Sequence, residues 1–403
     1  MSERRTSLVG GLLVAVGPVS MALYTPAMPT LVSAFDTSEA VVKLTLTLYF
    51  GGFAVTQLLC GPLSDAFGRR RVTVLFMLLY LAGSVLALLA RDIAWLLAAR
   101  LLQGIGASVG VATARAIVRD QFLGERSARI MASIGIVLAI GPALSPTIGG
   151  IALHLSSWHA VFLLMVAFGL GIVALALFVM KETGRPDRAL ALPSRLVGSY
   201  RQIFGDPGFL ASAFTLGGAV GTLYTLATVL PFVLIGRAGL TPAEFGLGML
   251  GQSGMFLAGS LALRLLMRHR PAADLVAPGL GFMLAGAAAL FAAGFAEPTY
   301  LTVMGPVGLY AFGIALVIPA MTTAALAPFP SIAGAASAAL GFVQMGMGLA
   351  GGLVCAAMAD PVRAVQLVVP ALALTSLTGY LAHVRLARQS RQEAPADVDA
   401  PET

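Results

Sequence analysis

Long apolar runs alternate with short polar ones along almost the whole chain, and each apolar run has the length that a membrane demands. A helix needs about 20 predominantly apolar residues to cross the hydrocarbon core. That spacing predicts spans at 8–30, 42–63, 72–90, 93–118, 128–152 and 158–180, then at 209–235, 243–266, 275–295, 299–325, 332–357 and 363–386. Lipid offers no water to bond the backbone, so such runs must be helices. One long polar interruption separates the two sets of six: Lys181 to Asp206, carrying Arg185, Arg188, Arg195, Arg201, Pro186 and Pro193. The predicted fold class is an all-α polytopic membrane protein with about twelve transmembrane helices in two six-helix halves. Its predicted organisation is an N-terminal half at 1–180, a central loop at 181–207, a C-terminal half at 208–386 and a polar tail at 387–403. The first apolar run, from Leu8 to about Leu31, exceeds the roughly 7–15 apolar residues of a signal peptide and predicts an uncleaved first span.

Composition removes the soluble alternatives. Charged residues make up 11% of the 403 and hydrophobic ones 58%, where a soluble domain carries roughly 25% charged. The 46 glycines and 22 prolines suit membrane helices, whose neighbours re-satisfy freed backbone groups and which pack closely at Gly. Cys60 and Cys355 both fall inside apolar runs, and His154, His159, His269 and His383 lack ligand spacing. The sequence therefore predicts no disulfide framework, no metal site and no cofactor.

Charge sets the orientation. Of the 25 Lys and Arg residues, 19 fall on the side that holds both chain ends, and only Lys43, Arg91, Arg237 and Arg363 on the other. By the positive-inside rule both termini are predicted to be cytoplasmic. The net charge of +7 is thus an orientation signal, and no nucleic-acid partner is needed to explain it.

Three segments carry chemistry. Between spans 2 and 3, GPLSDAFGRRR (Gly61 to Arg71) supplies Gly61 and Gly68 for a tight bend, one anion at Asp65, and Arg69, Arg70 and Arg71 to hold the turn on the basic side. In span 4, RLLQGIGAS places Arg100, Gln103, Gly104 and Ala107 on one helix face. Arg100 lies about 10 Å inside the helix end at 1.5 Å per residue. Its guanidinium either snorkels to the interface or faces an aqueous cavity, and the expense of intramembrane charge favours the cavity. Arg115, nearer the cytoplasmic end, is expected to snorkel. In span 5, GPALSPTIGG contains Gly141, Pro142, Pro146, Gly149 and Gly150, which predict a bent helix packed very closely on its neighbours.

The ordered G-x-L-x-D-x-x-G-R-R spacing resembles the loop 2–3 signature of the major facilitator superfamily, with Ala66 where an Arg is usual. R-x-x-Q-G-x-G-A resembles that superfamily's fourth-helix motif, and G-x-x-x-S-P-x-x-G-G its antiporter motif, with Ser145 where Gly is commoner. YTPAMP, TLYFGGFAVTQLLCGPLSD, AIVRD, PFVLIGRAGLTPAEFG, GIALVIP and AGAASAALGFVQM are together similar to the Bcr/CflA group of drug:proton antiporters, nearly to Arg385. The echo of Gly61-Pro-Leu in Gly259-Ser-Leu agrees with the paired halves of that fold. The resemblance implies a multi-pass protein of the bacterial inner membrane, not an enzyme, that exports small amphipathic compounds, multidrug or phenicol-like, by alternating access in exchange for protons. It implies a small-molecule substrate, protons and the lipid bilayer as partners, and a monomer. It also implies that Gly61, Asp65, Gly68, Arg69 and Arg70 form a conformational switch. Asp65 would dock there on the N-terminus of the eleventh helix, whose preceding loop APFPS has no competing charge.

Acids are absent from the predicted membrane interior, since all 18 Asp and Glu fall at loops, tails or helix ends. Coupling would then use Arg100 with an edge carboxylate such as Asp36 or Asp120, or a proton carried with the substrate. The candidate substrate-cavity residues are Tyr24, Gln57, Arg100, Gln103, Tyr224, Gln252 and Gln344, polar groups among apolar walls; bonding between helices is the competing use of each except Arg100. An exporter of an endogenous metabolite fits the same scaffold. A polytopic membrane enzyme or sensor would need clustered His, Asp, Ser or Cys near one face, or a soluble domain, and the sequence supplies neither.

Overall fold

The computed structural model describes residues 1–122, 124–184, 186–187 and 192–393. Among the described residues twelve helices are long and apolar enough to cross a membrane: α1 (Glu3–Ala34), α2 (Glu39–Phe67), α3 (Arg69–Leu88), α4 (Ile93–Gln121), α5 (Glu125–Leu155) and α6 (Trp158–Val179), followed by α7 (Pro207–Arg237), α8 (Pro242–Leu266), α9 (Ala272–Ala293), α10 (Tyr300–Leu326), α11 (Pro330–Ala357) and α12 (Pro361–Gln389). No strand occurs among the described residues. Arg185, Arg188 and the tail beyond Glu393 lie outside them. The helix that contains α12 continues to Glu393, past the predicted tail boundary at 387.

Local chemistry explains where the helices start and break. Ser38, Asp92 and Asp206 accept from backbone N–H groups at the starts of α2, α4 and α7, and Thr241 forms a capping box with Glu244 at α8. Within α1 a tight 3₁₀ turn at Thr25–Ala27 follows Tyr24, where Pro26 removes a backbone donor. Gly68 adopts φ +99° between α2 and α3, a conformation that side chains with a Cβ rarely take. The Glu182 carboxylate then caps α3, accepting from Arg69 N at 2.7 Å and Arg70 N at 3.2 Å.

The central segment, predicted as a loop, holds a helix at Pro193–Phe204. Leu196, Tyr200, Ile203 and Phe204 recur at helical spacing along it. Ile203 is buried, and the Tyr200 hydroxyl donates to the Leu58 carbonyl in α2 at 2.5 Å. The Phe204 ring sits 6.3 Å from Phe342 of α11 and 5.9 Å from Phe209 of α7. This linker helix therefore touches both sets of spans. Burial pushes the Tyr200 phenol up to about 12, so it remains a donor across the physiological range.

Two large apolar cores and two small clusters form among the described residues. One large core gathers residues of α1 to α6 such as Phe50, Tyr80 and Met165, and the other residues of α7 to α12 such as Phe209, Met283 and Tyr310. Between them, α2 runs along α11 and α5 along α8. Below, the membrane face bearing the α2–α3 turn and the linker helix is called the basic face.

Candidate functional site

At the opposite face the two sets of spans are shut against each other. A Cβ on Gly150 would run into the Pro242 carbonyl of α8, and one on Gly149 into the Leu23 carbonyl of α1. Gly246 of α8 abuts the Pro146 carbonyl in the same way, and Thr147 donates to the Gly246 carbonyl at 2.9 Å. Ser145 donates back to the Gly141 carbonyl at 2.6 Å, and Gly141 packs on Val19. Pro142 lies within the same continuous helix. Lys43 adds a second seal. The sequence reading assigned it to the outer rim, but it is 1% exposed, 3.6 Å from Glu39 and 5.2 Å from the Phe232 ring of α7. Lys43 lies four positions after Glu39, and that i,i+4 spacing was the available signal.

Toward the basic face the halves part and leave a cavity of about 390 Å³ lined by Gln57, Gly61, Asp65, Arg115, Ala333 and Ser337, among others. Gln57 is 7% exposed and its Oε1 has no hydrogen-bond partner. Arg115 reaches across to the Ser337 hydroxyl of α11, so it bridges the cavity where snorkelling was expected. Gly61 lies inside the continuous α2 helix instead of at the expected tight bend, on the cavity wall, and faces open space with nothing within 4 Å of a Cβ. The α-helical part of α11 begins at Ala333 without any side-chain cap.

Asp65 does not meet that helix end. It pairs with Arg69 one turn further on, and Arg69 also donates from Nε to Asp120 at 3.1 Å and from Nη1 to Ser64 at 2.7 Å. Asp120 accepts from Thr183 at 3.2 Å. Arg70 bonds the Ala176 and Leu177 carbonyls of α6 at 3.2 and 2.5 Å. The expected switch residues thus knit α2, α3, α4 and the end of α6 into one polar cluster. Asp120 is consumed in it, and Asp36 sits on an exposed turn at φ 45°, so neither stands beside Arg100 as a coupling partner.

Arg100 is fully buried, which corrects the expectation that it faces a cavity. Its guanidinium lies 4.2 Å from the Tyr24 ring centroid and 4.6 Å from that of Tyr49, an arrangement that stabilises a cation through ring quadrupoles. Nη1 donates to Gln103 Oε1 at 2.7 Å, and Gln103 Nε2 donates to Ser84 at 2.9 Å. Tyr24 bonds Thr45 at 2.6 Å, and Tyr49 donates to the Gly17 carbonyl at 2.9 Å. Nε and Nη2 of Arg100 have no partner. Tyr24, Arg100 and Gln103 therefore form a closed aromatic cluster inside the first core, apart from the cavity. The Tyr224 ring lies 5.3 Å from that of Phe50, tilted by 39°, where the halves meet. Gln344 on α11 and Gln252 on α8 are half-buried, the latter with an unpartnered Oε1. Of the seven predicted cavity residues only Gln57 lines the open cavity. Lys43 and Arg115 were missed because their surroundings come from other spans.

The Major Facilitator Superfamily profile matches residues 10–354. An uncharacterized MFS-type transporter, YdgK, of Bacillus subtilis is 31% identical over 259 residues, covering 62% of this chain and 64% of its own length. The multidrug transporter MdfA of Edwardsiella ictaluri is 31% identical over 323 residues, 79% of this chain and 78% of its own. A crystal structure of a bacterial homolog to the human lysosomal transporter Spinster, in an inward-facing and occupied conformation, superposes with TM-score 0.70 at 16% identity, covering 96% of each chain.

Proposed function

We propose, from the premise that this chain belongs to the major facilitator superfamily and is a multi-pass membrane transporter of small molecules and no enzyme, that it exports amphipathic compounds by alternating access in exchange for protons. The observation that carries this reading is the asymmetry between the two ends of the half–half interface: glycine-to-carbonyl packing at the opposite face, and a 390 Å³ cavity at the basic face. A cavity open to one side only is what a carrier loading from that side requires. The multidrug name of the Edwardsiella relative supports drugs as substrates. The charge distribution across the spans supports the inner membrane with both termini cytoplasmic, and loading from the cytoplasm.

On this reading, residues 1–180 and 208–386 are the two moving halves, 181–207 the connection, and 387–403 a cytoplasmic extension. The unit is a monomer. Asp65 leaves Arg69 for the α11 N-terminus when the basic face closes, and Gly61, Gly68, Arg69 and Arg70 shape that closure. Among the described residues no carboxylate lining the cavity is free of an ion pair, since Asp65 is paired with Arg69, so the desolvation of a cation would go uncompensated. Neutral and anionic amphipaths, phenicol-like drugs among them, are therefore favoured over permanent cations. A susceptibility panel comparing expressing with empty cells tests the reading. Raised resistance to neutral amphipathic drugs supports it, and an unchanged panel together with unchanged drug accumulation counts against it.

A further inference from the structure

Arg115 stands beside a second positive group with no acid to balance either. The α-helical part of α11 starts at Ala333 with no side-chain cap, and Ala333 and Gly334 line the same cavity as Arg115; a helix N-terminus carries roughly half a positive charge. Asp65, the acid on the cavity wall, is committed to Arg69. Among the described residues neither Arg115 nor Arg119, also on the wall, forms an ion pair. Gln57, also on the cavity wall, is nine-tenths buried and its Oε1 has no donor. Gly341 makes room for that amide, since a Cβ there would collide with it. Two like-signed groups and an idle acceptor are costly to hold in a partly enclosed space unless a ligand completes them.

We propose that Arg115, the Ser337 hydroxyl and the α11 N-terminus bind the carboxylate of an amphipathic substrate, and that Gln57 accepts a hydrogen bond from a hydroxyl or amide N–H elsewhere on it. The site rests on the export reading above and names its substrate class. A charge-assisted contact of guanidinium, hydroxyl and helix N–H groups with a carboxylate is stronger than any they make with a neutral amide. The cavity volume lies in the range that holds small ligands. The bound carboxylate occupies the helix end that Asp65 is proposed to take when the basic face closes, so ligand and Asp65 would satisfy the same dipole in turn.

The test is fluorescence binding of 6-hydroxy-2-naphthoate and of its neutral primary amide to the purified full-length protein. The proposal expects the naphthoate to bind about tenfold tighter than the amide, with Arg115→Gln abolishing that preference, Arg115→Lys keeping most of it, and Ser337→Ala reducing it about threefold. Equal binding of the two probes by the unmodified protein, or a carboxylate preference that survives Arg115→Gln, overturns it; the first comparison needs no variant to fold. Export of neutral drugs by cells without carboxylate preference in vitro overturns this site and leaves the transporter reading standing. Carboxylate preference with no export of any tested compound supports the site and removes the export reading.

Discussion

The guanidinium of Arg100 lies 4.2 Å from the Tyr24 ring centroid, and no carboxylate pairs with it among the described residues. Buried cations are normally paired, because leaving water costs several kcal/mol per ion. Here aromatic faces and one amide are its partners, while Nε and Nη2 go without. Such a group is more costly to stability than an apolar side chain of similar shape. Arg100→Met is expected to leave the unfolding free energy unchanged or raise it by up to about 1–4 kcal/mol, with a thermal midpoint no lower than the parent's, while abolishing transport. A lowered midpoint with transport retained would show that Arg100 serves packing alone.

Gly149→Leu should shut down export and destabilise the protein by about 2 kcal/mol or more. Its side chain would have to occupy the place of the Leu23 carbonyl in α1, so backbone must move. Gly61→Ala is the control, since nothing lies within 4 Å of a Cβ there, and it should be stable. Thermal unfolding followed with drug accumulation in the same cells checks both.

Asp65→Asn leaves Arg69 its bonds to Asp120 and Ser64, so the cluster should survive and the protein should reach the membrane at normal levels. Transport is expected to fall about tenfold or more, because the neutral amide loses the charge that favours the α11 helix end. Unchanged transport at equal abundance would dismiss the switch.

Tyr200→Phe removes the bond from the linker helix to the Leu58 carbonyl. A loss of about 1 kcal/mol is expected, along with faster amide exchange across Pro193–Phe204. Equal exchange rates in parent and variant would mean that the apolar anchors Ile203 and Phe204 alone hold this helix.

Spans were legible because hydropathy acts over about 20 residues and needs no tertiary knowledge. The close packing of Gly149 and Gly150 was legible too, since small residues beside prolines in lipid have few other uses. The linker helix was missed because its apolar positions fill only a short polar stretch. Its anchors, Leu58 and Phe342, belong to distant spans. Lys43 and Arg115 were misplaced for a related reason. Depth along one helix can be counted, but Phe232 beside Lys43 and Ser337 beside Arg115 come from the other half. Arg100 was recognised as exceptional, yet the Tyr24 and Tyr49 rings that enclose it come from two other spans.

The central claim is outward transport of amphipathic compounds driven by protons. Accumulation of a neutral phenicol, of 6-hydroxy-2-naphthoate and of ethidium, measured in the same cells with and without the protein and before and after a proton uncoupler, addresses it most directly. The account predicts lower accumulation of the phenicol and the naphthoate in expressing cells, little change for ethidium, and loss of the difference once the uncoupler is added. Equal accumulation of all three compounds with and without the protein would contradict it.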